Sequence, residues 1–238
     1  MGKKLLIFIF LHISYSASSQ LDGSVLSFYS EMDKFHQIQN QRIVNGVEYR
    51  DLYRTINNKH SFLKGRDFQK ALLFYNDQLF PEISIRYDFF RDIVVAKIQI
   101  ENGQVYIIQL INDLLENFTV GQQKFINVTF DNKVFENGFY EILAKSDCAS
   151  LLKKRRFRPL EKRDKSYMYY EFEEIDTQRI INISGNYIKA SKKELIEMFP
   201  KNKGEIKEFY KKNRSLRKLN EDKFYQELTI ILSKISCS

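Results

Sequence analysis

The chain has 238 residues, 43% of them hydrophobic and 29% charged, and a formal net charge of +8. Three prolines and nine glycines exclude a fibrous or low-complexity chain, and 20 Phe with 14 Tyr supply a sizeable core without tryptophan. Such a surplus of positive charge favours anionic partners, and its bland alternative is solubility alone.

Residues 1–19 read as a secretory leader. Lys3 and Lys4 precede an apolar run from Leu5 to Ile13, and Ala17 and Ser19 stand at −3 and −1 of a cut before Gln20. The run is too short to span a bilayer, and no later segment approaches spanning length. The expected location is the periplasm, the outer envelope or the exterior. No Cys follows the cut, so a lipid-anchored leader is not supported.

Residues 20–42, polar with scattered aromatic residues, read as an N-terminal arm, either extended or a short helix, and 43–190 read as a β-rich body. Asn45-Gly46 between apolar pairs predicts a tight hairpin. Asn76-Asp77 is a second turn between strand-like stretches. Ile83, Ile85 and Tyr87 alternate onto one strand face. Asn102-Gly103 predicts a two-residue hairpin that pairs Ile100 with Val105 and Ile98 with Ile107. Further strands are expected at 118–120, 124–130, 139–145, 151–157, 167–173, 179–183 and 187–190. The stretch 151–157 is expected to pair back onto 139–145.

The pattern changes at Ser191, and 191–238 read as a helical segment packed on the body. Ser191 with Glu194 fits a capping box, and Pro200 stops the helix. A second helix is expected from Glu205 to about Asn213. Asn220 caps a third, whose apolar face carries Phe224, Leu228, Ile231 and Ile235. The fold class is therefore α+β, mostly β: an antiparallel sheet or partly closed barrel or sandwich with two or three small C-terminal helices.

Chemistry-bearing residues are sparse. His12 leaves with the leader, and His36 and His60 sit in no nucleophile motif. Zinc spacing, a phosphate loop and a dinucleotide fingerprint are absent, so no catalytic residue, metal or cofactor is assigned. Carboxylates are the remaining catalytic option. Asp88 and Asp92 flank Phe89-Phe90-Arg91, and Glu171, Glu173, Glu174 and Asp176 cluster later. The first group equally suits a structural corner with ion pairs.

The sharpest charged feature is the basic run Lys153, Lys154, Arg155, Arg156, Arg158, Lys162 and Arg163. It reads either as a docking patch for an anionic envelope polymer or lipid surface, or as an exposed strand protected by charge. Nucleic acid is not an expected partner for an exported chain. A second basic region, 207–218, reads as a solvated helix face. Cys148 and Cys237 either join across the body after export or remain two thiols.

Four stretches resemble exported, uncharacterised proteins of the Bacteroidetes type. They are Val44-Asn45-Gly46-Val47-Glu48-Tyr49, Ile85-Arg86-Tyr87-Asp88 with Arg91-Asp92-Ile93-Val94-Val95, Gly138-Phe139-Tyr140-Glu141-Ile142-Leu143, and Tyr187-Ile188-Lys189-Ala190-Ser191-Lys192-Lys193. The resemblance implies an envelope or extracellular location and brings no activity. The leading expectation is a non-enzymatic binding or structural module. The alternatives are a carboxylate-based hydrolase of glycan or envelope polymer, and a carrier of an apolar ligand in a β cavity.

Overall fold

A computed structural model describes residues 43, 46–56, 58–99 and 103–237. The leader 1–19 and the arm 20–42 lie outside the described residues. Among the described residues, eleven strands form one antiparallel sheet, and four helices follow it: α1 (Lys192–Met198), α2 (Lys203–Lys212), α3 (Arg214–Leu219) and α4 (Glu221–Ser236). No described helix is long and apolar enough to cross a membrane.

The strands are β1 (Gly46–Glu48), β2 (Gln69–Tyr75), β3 (Gln78–Asp88), β4 (Ile93–Gln99), β5 (Val105–Leu110), β6 (Leu115–Val120), β7 (Gln123–Val128), β8 (Gly138–Lys145), β9 (Ala149–Arg163), β10 (Met168–Ile183) and β11 (Asn186–Lys189). Their order across the sheet is β1-β5-β4-β3-β2-β6-β7-β8-β9-β10-β11, which leaves β1 and β11 as edges. Strands β2 to β5 make one meander. A short 3-10 turn at Asn112–Leu114 then carries the chain back to the free side of β2, where β6 begins a second meander.

Local turn chemistry accounts for several hairpins. Asn76 and Asp77 both have positive φ (50° and 60°) between Tyr75 and Gln78, the requirement of a two-residue primed turn. Ser184 and Gly185 do the same between β10 and β11. Within β3, Glu82 has φ 59° and the ladder to β2 slips there. The extra residue lets Phe80, Ile85 and Tyr87 all reach the core despite their mixed parity.

Three sequence expectations need correction. The β4–β5 ladder pairs Gln99 with Val105 and Ile98 with Tyr106, one residue away from the predicted register. A slip of one exchanges faces. Ala96 pairs with Ile108, and both are buried, while Val105 and Ile107 turn outward. Packing of Ile108 and Leu110 deep in the sheet thus overrides the turn count, and residues 100–102 lie outside the described residues. Secondly, Gly46 enters β1 against β5, where an added Cβ would stand 2.6 Å from the Gln109 carbonyl oxygen. Asn45, the other half of that expected hairpin, lies outside the described residues. Thirdly, the two stretches expected at 167–173 and 179–183 join, from Met168 on, into one 16-residue strand with a bulge between Glu174 and Asp176.

The sheet curls tightly around an aromatic core. Tyr87 on β3 meets Phe118, Phe125 and Phe139 at ring-centroid distances of 5.2, 5.3 and 5.9 Å. Phe139 sits on β8, four strands away in the sheet, which in a flat sheet would be about 19 Å. Phe89, just past β3, stacks on Phe157 of β9 at 5.6 Å. The segment before β2 spans the opening. Tyr49 donates its N–H to Ile107 beside β1, and Arg54 and Lys59 accept from Tyr170 and Phe172 of β10. Tyr53 packs edge-on against Phe90, Tyr170 and Phe172, closing that seam.

A second core joins the helices to the sheet. Leu195, Ile206, Tyr210, Phe224, Leu228 and Leu232 pack with Leu151, Ile181 and Ile183. Ser191 caps α1 by accepting from the Glu194 N–H, but Glu194 reaches back to the Lys189 N–H rather than to Ser191. Pro200 ends α1 and opens a 3-10 turn. Asn220 caps α4 through Lys223. The four helices exceed the expected two or three because Arg214–Leu219 forms its own short helix after Asn213.

Cys237 at the end of α4 is joined by a disulfide to Cys148 in the β8–β9 turn, across a sequence separation of 89. A closed loop of that length restricts the unfolded chain by about 4 kcal/mol in the chain-entropy picture. The Cys148→Ser/Cys237→Ser double variant is therefore expected to unfold at lower urea concentration than the oxidised protein. Dithiothreitol should shift the native protein to the same midpoint and leave the variant unchanged.

Candidate functional site

Two constellations far apart in sequence meet at one cleft of about 330 Å³. Its walls are Phe89, Phe90 and Asp92 from the β3–β4 turn, Glu136 and Asn137 before β8, Lys154–Phe157 of β9, and Ile175 of β10. At its base Lys154 donates to the Asp92 Oδ2 at 2.5 Å, with the lysine side chain 8% and the aspartate 21% exposed.

Asp92 is fully engaged. Its Oδ1 accepts from the Tyr87 hydroxyl at 2.6 Å, and its Oδ2 also accepts from the Phe139 N–H at 3.2 Å. The Asn112 side-chain amide holds its backbone carbonyl at 2.8 Å. Lys154 donates in addition to the Asn137 carbonyl at 3.1 Å and lies over the Tyr140 ring. Such satisfaction is what a buried ion pair requires to persist. Burial, then the charge of Asp92, drives the Tyr87 hydroxyl well above its ordinary pKa, so it stays a donor.

Gly138 makes room for the pair. It has φ 117°, and an added Cβ would stand 1.8 Å from the Asp92 Oδ2 and 2.7 Å from the Lys154 Nζ. Both the backbone conformation and the space demand glycine.

The basic run is largely neutralised by the protein itself. Arg155 makes a forked contact with Glu174, and Arg156 bridges Glu136 and Asp176. Arg158 pairs with Glu173 directly across the ladder, and Arg163 with Glu161. Lys153 leaves the cleft to meet Asp222 at 2.6 Å, and Lys162 is exposed opposite Tyr169. Glu173, Glu174 and Asp176 on β10 are thus partners of the basic cluster on β9, while Glu171 accepts from Lys59 at 2.8 Å. Arg155 holds the Glu174 carboxyl below its usual range.

Asp88 lies apart, 3% exposed, and accepts from Ser61 Oγ at 2.6 Å and from the Phe90 and Arg91 N–H groups. Burial raises its carboxyl, against the opposing pull of those donors. This is a turn clasp, the structural corner that the sequence allows. His60 accepts from the Phe62 N–H at 3.1 Å, and burial lowers its pKa. His36 lies outside the described residues. No group of three or more His, Cys, Asp or Glu suited to a metal occurs among the described residues.

Sequence reading missed Tyr87, Gly138 and Asn137 as parts of this site. The Asn137-Gly138 dipeptide ahead of a strand was the one available signal. Asp222, in the first turn of α4, was missed as well. Asp222 binds Lys153 and Arg179 together, clamping α4 to β9 and β10. Burial alone would raise its carboxyl, but these two cations outweigh it and hold the pKa low.

Two outcomes follow from this geometry. Gly138→Ala should cost about 3 kcal/mol or more, through strain and a displaced ion pair, whereas Gly185→Ala, with open space around it, should cost about 1 kcal/mol. Urea unfolding of both variants checks this, and equal losses would contradict the role of the Asp92–Lys154 contact. A carboxyl held low when folded stabilises the fold above its unfolded titration point, near pH 4, and that contribution fades as pH falls through the folded value. Asp222→Asn should therefore remove about 2 kcal/mol at neutral pH and flatten the acid limb of the melting temperature against pH. Retention of the native acid slope would contradict it. No protein-family model, no curated protein and no solved structure matches this chain.

Proposed function

We propose that the chain is an exported envelope or secreted protein that works as a binding or structural module. The observation that supports the non-enzymatic part is the mutual pairing of the charged groups at the cleft. Asp92 has three donors, Glu136 and Asp176 share Arg156, and Glu174 is forked to Arg155. A glycan hydrolase needs two carboxyls set around its substrate, one of them free to give a proton. The carboxyl that burial raises, Asp88, is clasped inside a turn away from the cleft lining. The carrier alternative is disfavoured by the rings of Tyr75, Phe80, Tyr87, Phe118, Phe125 and Phe139, which fill the curl of the sheet.

Export is supported by the leader and by the Cys148–Cys237 bond, which suits an oxidising compartment. Fractionation of the native host with N-terminal sequencing should place the product outside the cytoplasm, beginning at or near Gln20. A cytosolic product that keeps Met1 would overturn export. Purified protein incubated with host envelope glycan should release no new reducing ends. Release that is lost in Glu136→Gln would overturn the non-enzymatic reading.

A further inference from the structure

The positive surplus of this protein is concentrated away from β9. Between Lys201 and Lys218 there are eight Lys or Arg and two Glu, a large share of the net +8 of the chain. All eight cations are exposed. One ion pair forms within the segment among the described residues, Lys212 with Glu208.

The arrangement is ordered along the helix surface. Lys203, Lys207, Lys211, Arg214 and Lys218 recur at intervals of four, four, three and four, which places them on one stripe. The stripe runs across the α2–α3 junction, because Asn213 donates to the Phe209 carbonyl and accepts from Arg217. None of the five has an ion-pair partner among the described residues. The buried face of the same segment is Ile206 and Tyr210, packed on α4 and the sheet. Leu219, 86% exposed, follows Lys218 at the end of α3.

We propose that α2 and α3 dock this protein onto an anionic lipid surface. A helical stripe of unpaired cations supplies headgroup attraction, at about 1 kcal/mol per Lys or Arg near the surface. The exposed leucine at the helix end gives the patch an apolar contact that a soluble polyanion would not use. The inference rests on the proposed function only for where the surface is. Binding is measured on purified protein, so its failure leaves the export reading standing, and a cytosolic location leaves vesicle binding standing.

The test is sedimentation of the oxidised protein with phosphatidylglycerol–phosphatidylcholine vesicles (about 1:2), against phosphatidylcholine alone. Binding should require the anionic lipid and weaken with salt. Lys207→Ser/Lys211→Ser/Lys218→Ser should bind about a hundredfold more weakly. Lys162→Ser/Arg163→Ser/Lys165→Ser removes the same number of cations and should stay within about threefold. Leu219→Ser should lose about fivefold on vesicles, with no change on heparin. No binding to the anionic vesicles, equal loss in both triple variants, or vesicle binding that Leu219→Ser leaves unchanged would each overturn the proposal.

Discussion

One carboxylate holds the β3–β4 turn to the opposite limb of the sheet. Asp92 reaches through the space left by Gly138 to Lys154, while Tyr87 and the Phe139 N–H take its remaining capacity. The contact fixes how far the sheet curls, because β3 and β9 are separated by four other strands in the ladder. Around it, the rings of Tyr87, Phe89, Phe125 and Phe157 pack in a continuous series. Removing either charged partner would leave the other buried without compensation, which is costlier than losing the pair.

The same economy governs β9 and β10. A strand carrying five cations between Lys153 and Arg158 would repel itself if it stood alone. Its neighbour supplies Glu173, Glu174 and Asp176 at facing or diagonal positions, and α4 supplies Asp222. The bulge between Glu174 and Asp176 interrupts the regular ladder where these acids stand. Bulges and charges of this kind discourage a foreign strand from pairing with an exposed edge.

Features governed by neighbours in sequence were legible before the structure. The Asn76-Asp77 turn, the Asn220 cap and the β-then-helix order all depend on a few adjacent residues. Features governed by distant partners were not. Asp92 and Lys154 are 62 residues apart, and nothing near either one names the other. The β4–β5 register follows the packing of Ile108 and Leu110, not the glycine turn beside it. The basic run was visible as charge, but its acidic counterpart could be assigned only once β9 and β10 lay side by side.

The strand edges that remain are tied together by the segment ahead of β2. Tyr49 is bonded beside β1 and Arg54 beside β10, with five peptide steps between them. Even fully stretched, that tether reaches about 18 Å. The curled sheet is therefore a cylinder with one missing stave, and its slit can gape no wider than the tether allows. Severing the tether near Leu52 would turn a bounded gap into two free rims.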